Sequence, residues 1–521
     1  YTSTANDDTS ELGFEPRTYN GTGNNVEFPL WGSAGIAQLR VLAGADYGDA
    51  SFTPPGDDRP TAREVMTDVF LASSAEGTEQ SALFAAWGQL VSFDLFLNSD
   101  NASESFDIAC DDGGGLADVW CPFGEASDPI PFERSDATVS SSVRSPTNYA
   151  TAYLDLDFVY GRNETQAGAL RDWENGYMTI SDSGIPVQNS DGTWLIADQR
   201  TAEFPVTFAL HSMFLIEHNR CCDDVAPALG YSTDEEIYQA CRAWNIAVFQ
   251  HIVENDWVIR LLGGQVLDLC SSEWEVVCAS FDDDDHYEED DDGGGDDNGY
   301  TYRRSEGRRT DEGRRKRTLE SLENNERRQL LAADYYDEAL DTGADVFSTT
   351  AGAAAFASML PSTLRIVGEN YEPMDEDNIE LHVASADIAG LFARNGVGPI
   401  LRGAVLSPAL SVDAHFTSAV SNVSPLFKLS VDAVQRGRDH GLPTYNDARV
   451  AYGLTAATSF ESVTDDEDVA SLLNASYFGD IQLLDAVTGA LAEGTNSTST
   501  GVLGPLLQVH TRVVNRRVGS S

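Results

Sequence analysis

The sequence predicts a mostly α-helical protein with long loops and little β structure. Three stretches show apolar residues at helical spacing: 81–97, about 204–225, and 232 to about 262. No segment sustains the strict alternation of a half-buried strand, and there are no internal repeats.

Taken in order, residues 1–80 are polar and loop-rich, with Pro54-Pro55-Gly56 as a break. The stretch 81–97 has no Pro, a single Gly, and Leu83, Phe84, Trp87, Leu90, Val91 and Leu95 at helical spacing, which predicts a mostly buried helix. Gln89 and Phe93 are four apart and share a face, while Asp94 points about 100° away from Phe93. An irregular stretch is expected to about residue 150. The third helix opens with a capping box, Ser232 with Glu235 or Thr233 with Glu236, and aligns Ile237, Ala240, Trp244, Val248, Ile252 and Trp257 on one face. Residues 281–328 carry an acidic run (282–285, 288–292), three glycines and a basic run through Arg314-Arg315-Lys316-Arg317. Such blocks do not build a core, so a surface insertion is expected, exposed and open to a processing protease. Beyond residue 330 the chain reads helical, with the Ala-rich 344–360 followed by segments near 384–394, 413–422, 425–436, 444–452, 467–473 and 479–492.

The 521 residues allow a large core, and the formal charge of −53 argues against nucleic-acid and anionic-membrane partners. No apolar run is long enough to span a bilayer. The start, Tyr1-Thr2-Ser3, lacks a charged, then apolar leader, so the protein is expected to be cytosolic or to have lost that segment. Seven cysteines suggest the pairs 110–121 and 270–278, and Cys241 with Cys221 or Cys222, leaving one thiol. Glycosylation sequons stand at Asn20, Asn101, Asn163, Asn422, Asn474 and Asn496. Cysteines and sequons together favour a secreted glycoprotein.

Alternation over 151–157 places Thr151, Tyr153, Asp155 and Asp157 on one side of a loop. A hydroxyl, backbone carbonyls and carboxylates are hard oxygen ligands suited to calcium. Farther on lie Arg200-Thr201-Ala202-Glu203-Phe204-Pro205, then His211 and His218 seven apart on one helical face, and Gln435-Arg436-Gly437-Arg438-Asp439-His440-Gly441-Leu442-Pro443.

These stretches resemble the animal-type haem peroxidases of the peroxidase–cyclooxygenase superfamily. Trp87, Gly88, Gln89 and Asp94 match the family's Trp-Gly-Gln-Phe-x-Asp-His-Asp helix, with Phe93 at the distal histidine and Ser92 at the aspartate that can ester-link haem. The family's Arg-Phe-Gly-His-Ser-(Met/Leu)-(Ile/Leu)-Pro segment corresponds to 354–361, with Ala357 at the iron ligand, and Ala433 stands where active members carry its Asn partner. The resemblance implies one haem-peroxidase-like domain over 1–521, with 281–328 outserted from it. It implies a calcium site built from Asp94, Thr151, Tyr153, Asp155 and Asp157, where Asp157 replaces a family Ser. It places Gln89, Arg200 and Glu203 at distal haem positions, and His211 and His218 as satisfied core histidines. Peroxide cleavage needs a base, and the iron needs an imidazole; Phe93 and Ala357 supply neither. The expectation is therefore a pseudoperoxidase without haem, serving as a structural, assembly or adhesion module of an extracellular matrix or filament, with protein or glycan partners or self-assembly. The alternative is a haem-dependent peroxidase with an altered pocket.

Overall fold

Chain segments far apart in sequence converge on one buried helix. The computed structural model describes residues 13–40, 45–49, 53–54, 58–108, 130–140, 143–263, 343–374, 378–421, 429–494 and 501–518. The predicted insertion at 281–328, the sequons Asn422 and Asn496, and Cys110, Cys121, Cys270 and Cys278 lie outside the described residues.

We number the helices that frame the site. Helix α1 is Ala82–Leu95, capped by Ser81, whose hydroxyl accepts from the Phe84 amide. It is buried nearly all round, as a run with apolar residues on every side must be. Helix α2 is Pro205–Ala228, with proline at its first position, where no intrahelical donor is needed. Helix α3 is Asp234–Ile252, and of the two capping boxes open in the sequence Thr233 with Glu236 is the one formed. It runs on through a widened turn, Val253–Trp257, to Leu261. Helix α4 is Ala353–Ser358, preceded by a widened turn, Ser348–Gly352. Helices α5 (Val397–Leu406), α6 (Leu429–Asp439) and α7 (Ala486–Ala492) complete the frame. Helix α1 packs against α2, α4 and α5.

Mostly α is correct, with three differences. The buried face of α3 includes Ile237 of the predicted stripe but is otherwise Tyr238, Cys241, Arg242, Asn245, Ile246 and Phe249, whereas Trp244 of that stripe is exposed and donates its indole N–H to Glu217. The stretch expected to be irregular holds an antiparallel ribbon, Asp100–Ile108 against Ile130–Ser135, and a second pairing of Ala137–Ser140 with Val143–Asn148. Helices that the sequence pattern does not announce include α5, Pro505–Val518, and a short buried turn at Ala62–Val65 running into Met66–Phe70. A disulfide joins Cys221 of α2 to Cys241 of α3, and Cys222 is a free buried thiol. The Gln435–Arg449 region pairs outward: Arg438 with Asp485 (2.6 Å), Asp439 with Arg134 (2.5 Å), and Arg449 with Glu493.

Candidate functional site

One face of α1 looks onto α4, and there the two helices touch. Phe356 of α4 lays its ring against the backbone of Gly88, so that a side-chain carbon at Gly88 would overlap the ring. The same ring packs on Trp257 with centroids 5.3 Å apart, and Trp257 packs on Phe84 at 5.8 Å. Ala357 is buried beside it. The sequence motif singles out Ala357 and not Phe356, which stands at the glycine before the expected ligand position in the segment 354–361. That second departure lies in the same segment and is visible there. What space remains near Ser92 and Phe356 is a cavity of about 90 Å³, lined mainly by apolar side chains including Val91, Leu95 and Trp257. Pockets that hold drug-sized ligands run to about 300–1,000 Å³. Ala357 offers no imidazole to hold iron, and the one histidine lining this cavity, His510, is engaged by the Ser348 and Tyr452 hydroxyls.

The other expected distal residues are scattered. Phe93 is half-buried and lies under the Arg200 guanidinium, 4.7 Å from its ring centroid. Arg200 is fully engaged: Nε donates to Asp198 at 3.0 Å and Nη2 at 2.6 Å, while Nη1 and Nη2 donate to the carbonyls of Phe96 and Phe93. Gln89 is buried and lines a separate cavity of about 20 Å³ with Phe204, Leu360 and Ala404; its Oε1 has no partner among the described residues. Glu203 reaches the surface yet is packed round by protein, and this burial raises its carboxyl to about 7; the carboxylate makes no hydrogen bond among the described residues. His218 is satisfied as expected: Nε2 donates to the Gly176 carbonyl and Nδ1 accepts from Tyr160. His211 is not, since its buried Nδ1 lacks a partner among the described residues. Burial pushes both rings down to about 4.

The second face of α1 is different in kind. Asp94, fully buried, accepts from the amides of Asp155 (3.1 Å), Leu156 (3.3 Å) and Asp157 (2.7 Å). The loop can present three amides to one carboxylate because Leu156 adopts a left-handed conformation, φ 57°, and so turns the chain into the helix that starts at Asp157. Thr151 donates its hydroxyl to Asp155 at 2.8 Å and its amide to Asp157 at 2.9 Å. The Tyr153 phenol turns away to the Trp31 carbonyl, so Tyr153 offers the cluster only its backbone oxygen. Burial raises all three carboxyls, with Asp157 and Asp155 raising Asp94 further and Arg162 pulling Asp157 back.

Arg162 carries no signal in the sequence. Its Nε and Nη2 grip both oxygens of Asp157, at 2.8 and 2.7 Å, and Nη2 also reaches Asp198 at 2.7 Å and the Phe93 carbonyl at 3.3 Å. Asp198 is desolvated, yet Arg200 and Arg162 outweigh the burial and hold it well below the usual carboxylate range. With Arg162 matched to Asp157 and Arg200 to Asp198, Asp94 and Asp155 are left as two buried carboxylates without an ion-pair partner among the described residues, and only the field of Arg242 and Arg17 offsets Asp155. Asp155 Oδ2 is buried without a partner among the described residues. Hard oxygens, two surplus negative charges and an orphaned carboxylate oxygen fit a divalent cation such as calcium. Asp94, Asp155, the Thr151 hydroxyl and the Tyr153 carbonyl would hold it.

The sequence pattern of the animal haem peroxidases matches residues 16–294 and 314–517. Among similar proteins, human peroxidasin homolog is 24% identical over 86% of this chain and 30% of its own length. Human thyroid peroxidase is 24% identical over 84% of this chain and 48% of its own length. Lactoperoxidase of Mesocricetus auratus is 26% identical over 94% and 69%. The chain thus spans about a third to a half of the length of the first two. In structure it is similar to peroxidase A from Dictyostelium discoideum, with TM-score 0.73 at 20% identity over 97% of this chain and 91% of that one. The fatty acid alpha-dioxygenase of Oryza sativa gives 0.72 at 18% identity over 99% and 80%.

Proposed function

This chain belongs to the animal haem peroxidase family, and from that premise we propose that it is a member without haem, a secreted scaffold used for assembly or adhesion. The observation that carries the reading is the contact of Phe356 with Gly88 beside Ala357. The space for the macrocycle is filled from the same segment that lacks the iron ligand. The absence of a base at Phe93 and the tying of Arg200 to Asp198 and two carbonyls support the same conclusion. The scaffold retains a calcium site at Asp94 and the 151–157 loop, and calcium would neutralise buried carboxylates rather than take part in chemistry. Extracellular protein or glycan partners, or other copies of the chain, would be its ligands. Asn20, Asn163 and Asn474 are exposed, as glycan attachment requires. Among the described residues no helix is long and apolar enough to cross a membrane.

The test is an absorption spectrum of the native protein, followed by titration with hemin. The expected result is a protein band alone and no stoichiometric Soret band at either stage. A Soret band in the purified protein would overturn the reading. It would then favour an active peroxidase with an altered pocket, for which the unpartnered Gln89 Oε1 and the retained Arg200 and Glu203 speak.

A further inference from the structure

Three acidic side chains converge on the loop 151–157, yet the surplus charge is that of two. Asp157 is closed on both oxygens by Arg162 and also accepts from the Thr151 amide. Arg162 is 8% exposed, and its pairs with Asp157 and Asp198 are both 2.7 Å. The bidentate geometry is the strong form of such a pair. The two residues stand five apart, on either side of the turn Asp157–Tyr160 and Gly161. The other charges facing the cluster are Asp198 and Arg200, which pair with each other, and Arg242 and Arg17, whose positive charges pull Asp155 down. Arg242 is committed to the Arg17 and Thr18 carbonyls.

We propose that Arg162 is an internal cation that removes Asp157 from the ligand set, so that the loop takes one divalent ion on Asp94 and Asp155 alone. This rests on the calcium reading above and goes beyond it in assigning Arg162 and Asp157 a shared role. Asp157 and Arg162 act as one neutral unit. Loss of Arg162 alone adds a buried negative charge to the site, and loss of Asp157 alone adds a positive one. Their joint loss changes little. Arg162 also bridges the loop to Asp198 and to the Phe93 carbonyl, and so fixes the loop against the far end of α1.

The experiment uses the full chain and four forms: wild type, Arg162→Gln, Asp157→Ser, and the double variant. Calcium affinity is measured by calorimetry and by displacement of terbium luminescence, and unfolding midpoints are taken in calcium and in chelator. The expected order of affinity is Arg162→Gln tightest, wild type and double variant alike, and Asp157→Ser weakest. A unit charge a few ångströms from the ion changes affinity by about tenfold or more, even at a high effective dielectric. In chelator, Arg162→Gln should unfold at a lower temperature than the double variant, since it leaves a third carboxylate uncompensated. Equal affinities across the four forms would overturn the proposal. If wild type binds neither ion, the calcium reading itself falls. The internal pair is then judged by the chelator midpoints alone, and a double variant no more stable than Arg162→Gln would overturn it too.

Discussion

The two faces of α1 are packed in opposite ways. On the Gly88 face the contacts are aromatic and apolar: Phe356 lies on Gly88 and on Trp257. On the Asp94 face, nothing apolar has moved in, and the carboxylates, amides and hydroxyl remain. The difference is physical. An apolar void is removed by one larger side chain, and the close packing that results is favourable. Buried carboxylates cannot be retired singly, because any partner left behind stays desolvated and unpaired. Loss on the first face is a substitution, whereas loss on the second would need several at once.

The largest expected effect breaks the first face. Phe356→Ala should cost about 3–5 kcal/mol, as the ring is buried against α1 and Trp257 and little nearby can collapse into its place. Gly88→Ala should cost about 1–3 kcal/mol by overlap with the ring. Combined, the two should cost less than their sum, because the alanine carbon occupies part of the vacated space. Urea unfolding of the four forms measures this. Strict additivity would mean that the two helices do not meet through these residues.

The same packing marks the limit of what the sequence makes legible. Helices α1, α2 and α3 are legible because their apolar spacing is local, although the predicted stripe of α3 is only partly buried, with Ile237 and Trp257 inside and Trp244 out. Its buried side is held by Tyr238, Arg242 and Asn245, polar groups bonded or stacked to distant partners, which periodicity does not count. The ribbon Asp100–Ile108 with Ile130–Ser135 is hidden because its first strand is polar and its partner lies beyond a long connection. Thr151 and Asp155 are legible because hard oxygens recur along one loop, whereas Asp94 joins them only through the family resemblance. Arg162 is not legible, since an arginine after a loop carries no local sign of which carboxylate it will find. Phe356 is legible in principle, because a bulky ring directly before Ala357 replaces the smallest residue of the family segment. What the segment cannot tell is which backbone that ring will meet, and Gly88 lies more than 260 residues away.

A smaller effect separates the faces by pH. His211 and His218 lie in α2, behind the aromatic packing, and burial lowers both from about 6.5 to about 4. A group with a depressed native value is neutral in the folded chain while the unfolded chain takes up a proton. Its stability contribution is therefore whole above about 6.5 and is lost as pH falls towards 4. At about 1.4 kcal/mol per unit, each ring would account for at most about 3.5 kcal/mol over that window. His211→Phe should flatten the acid limb of a stability–pH curve, because it removes a buried ring whose Nδ1 has no partner among the described residues. His218→Phe should flatten the same limb but lower stability at about pH 7.5 as well, because the Tyr160 hydroxyl and the Gly176 carbonyl lose a partner. An unchanged slope in both variants would show that other groups control acid unfolding.

The smallest effect concerns the residue nearest to a catalytic inheritance. By its resemblance to the family segment Arg200 would polarise peroxide, yet its Nε, Nη1 and Nη2 are directed at Asp198, Phe93 and Phe96. Its guanidinium covers Phe93, a contact worth about 0.5–1 kcal/mol at a partly exposed site. Arg200→Lys keeps the charge beside Asp198 but gives up the fork and the stacking, so it should cost about 1–2 kcal/mol in unfolding measurements. If the residue is structural, that cost should appear with no change in background peroxide turnover by the purified chain. A fall in turnover without a fall in stability would instead place Arg200 in a working site, and would reopen the face that Phe356 closes.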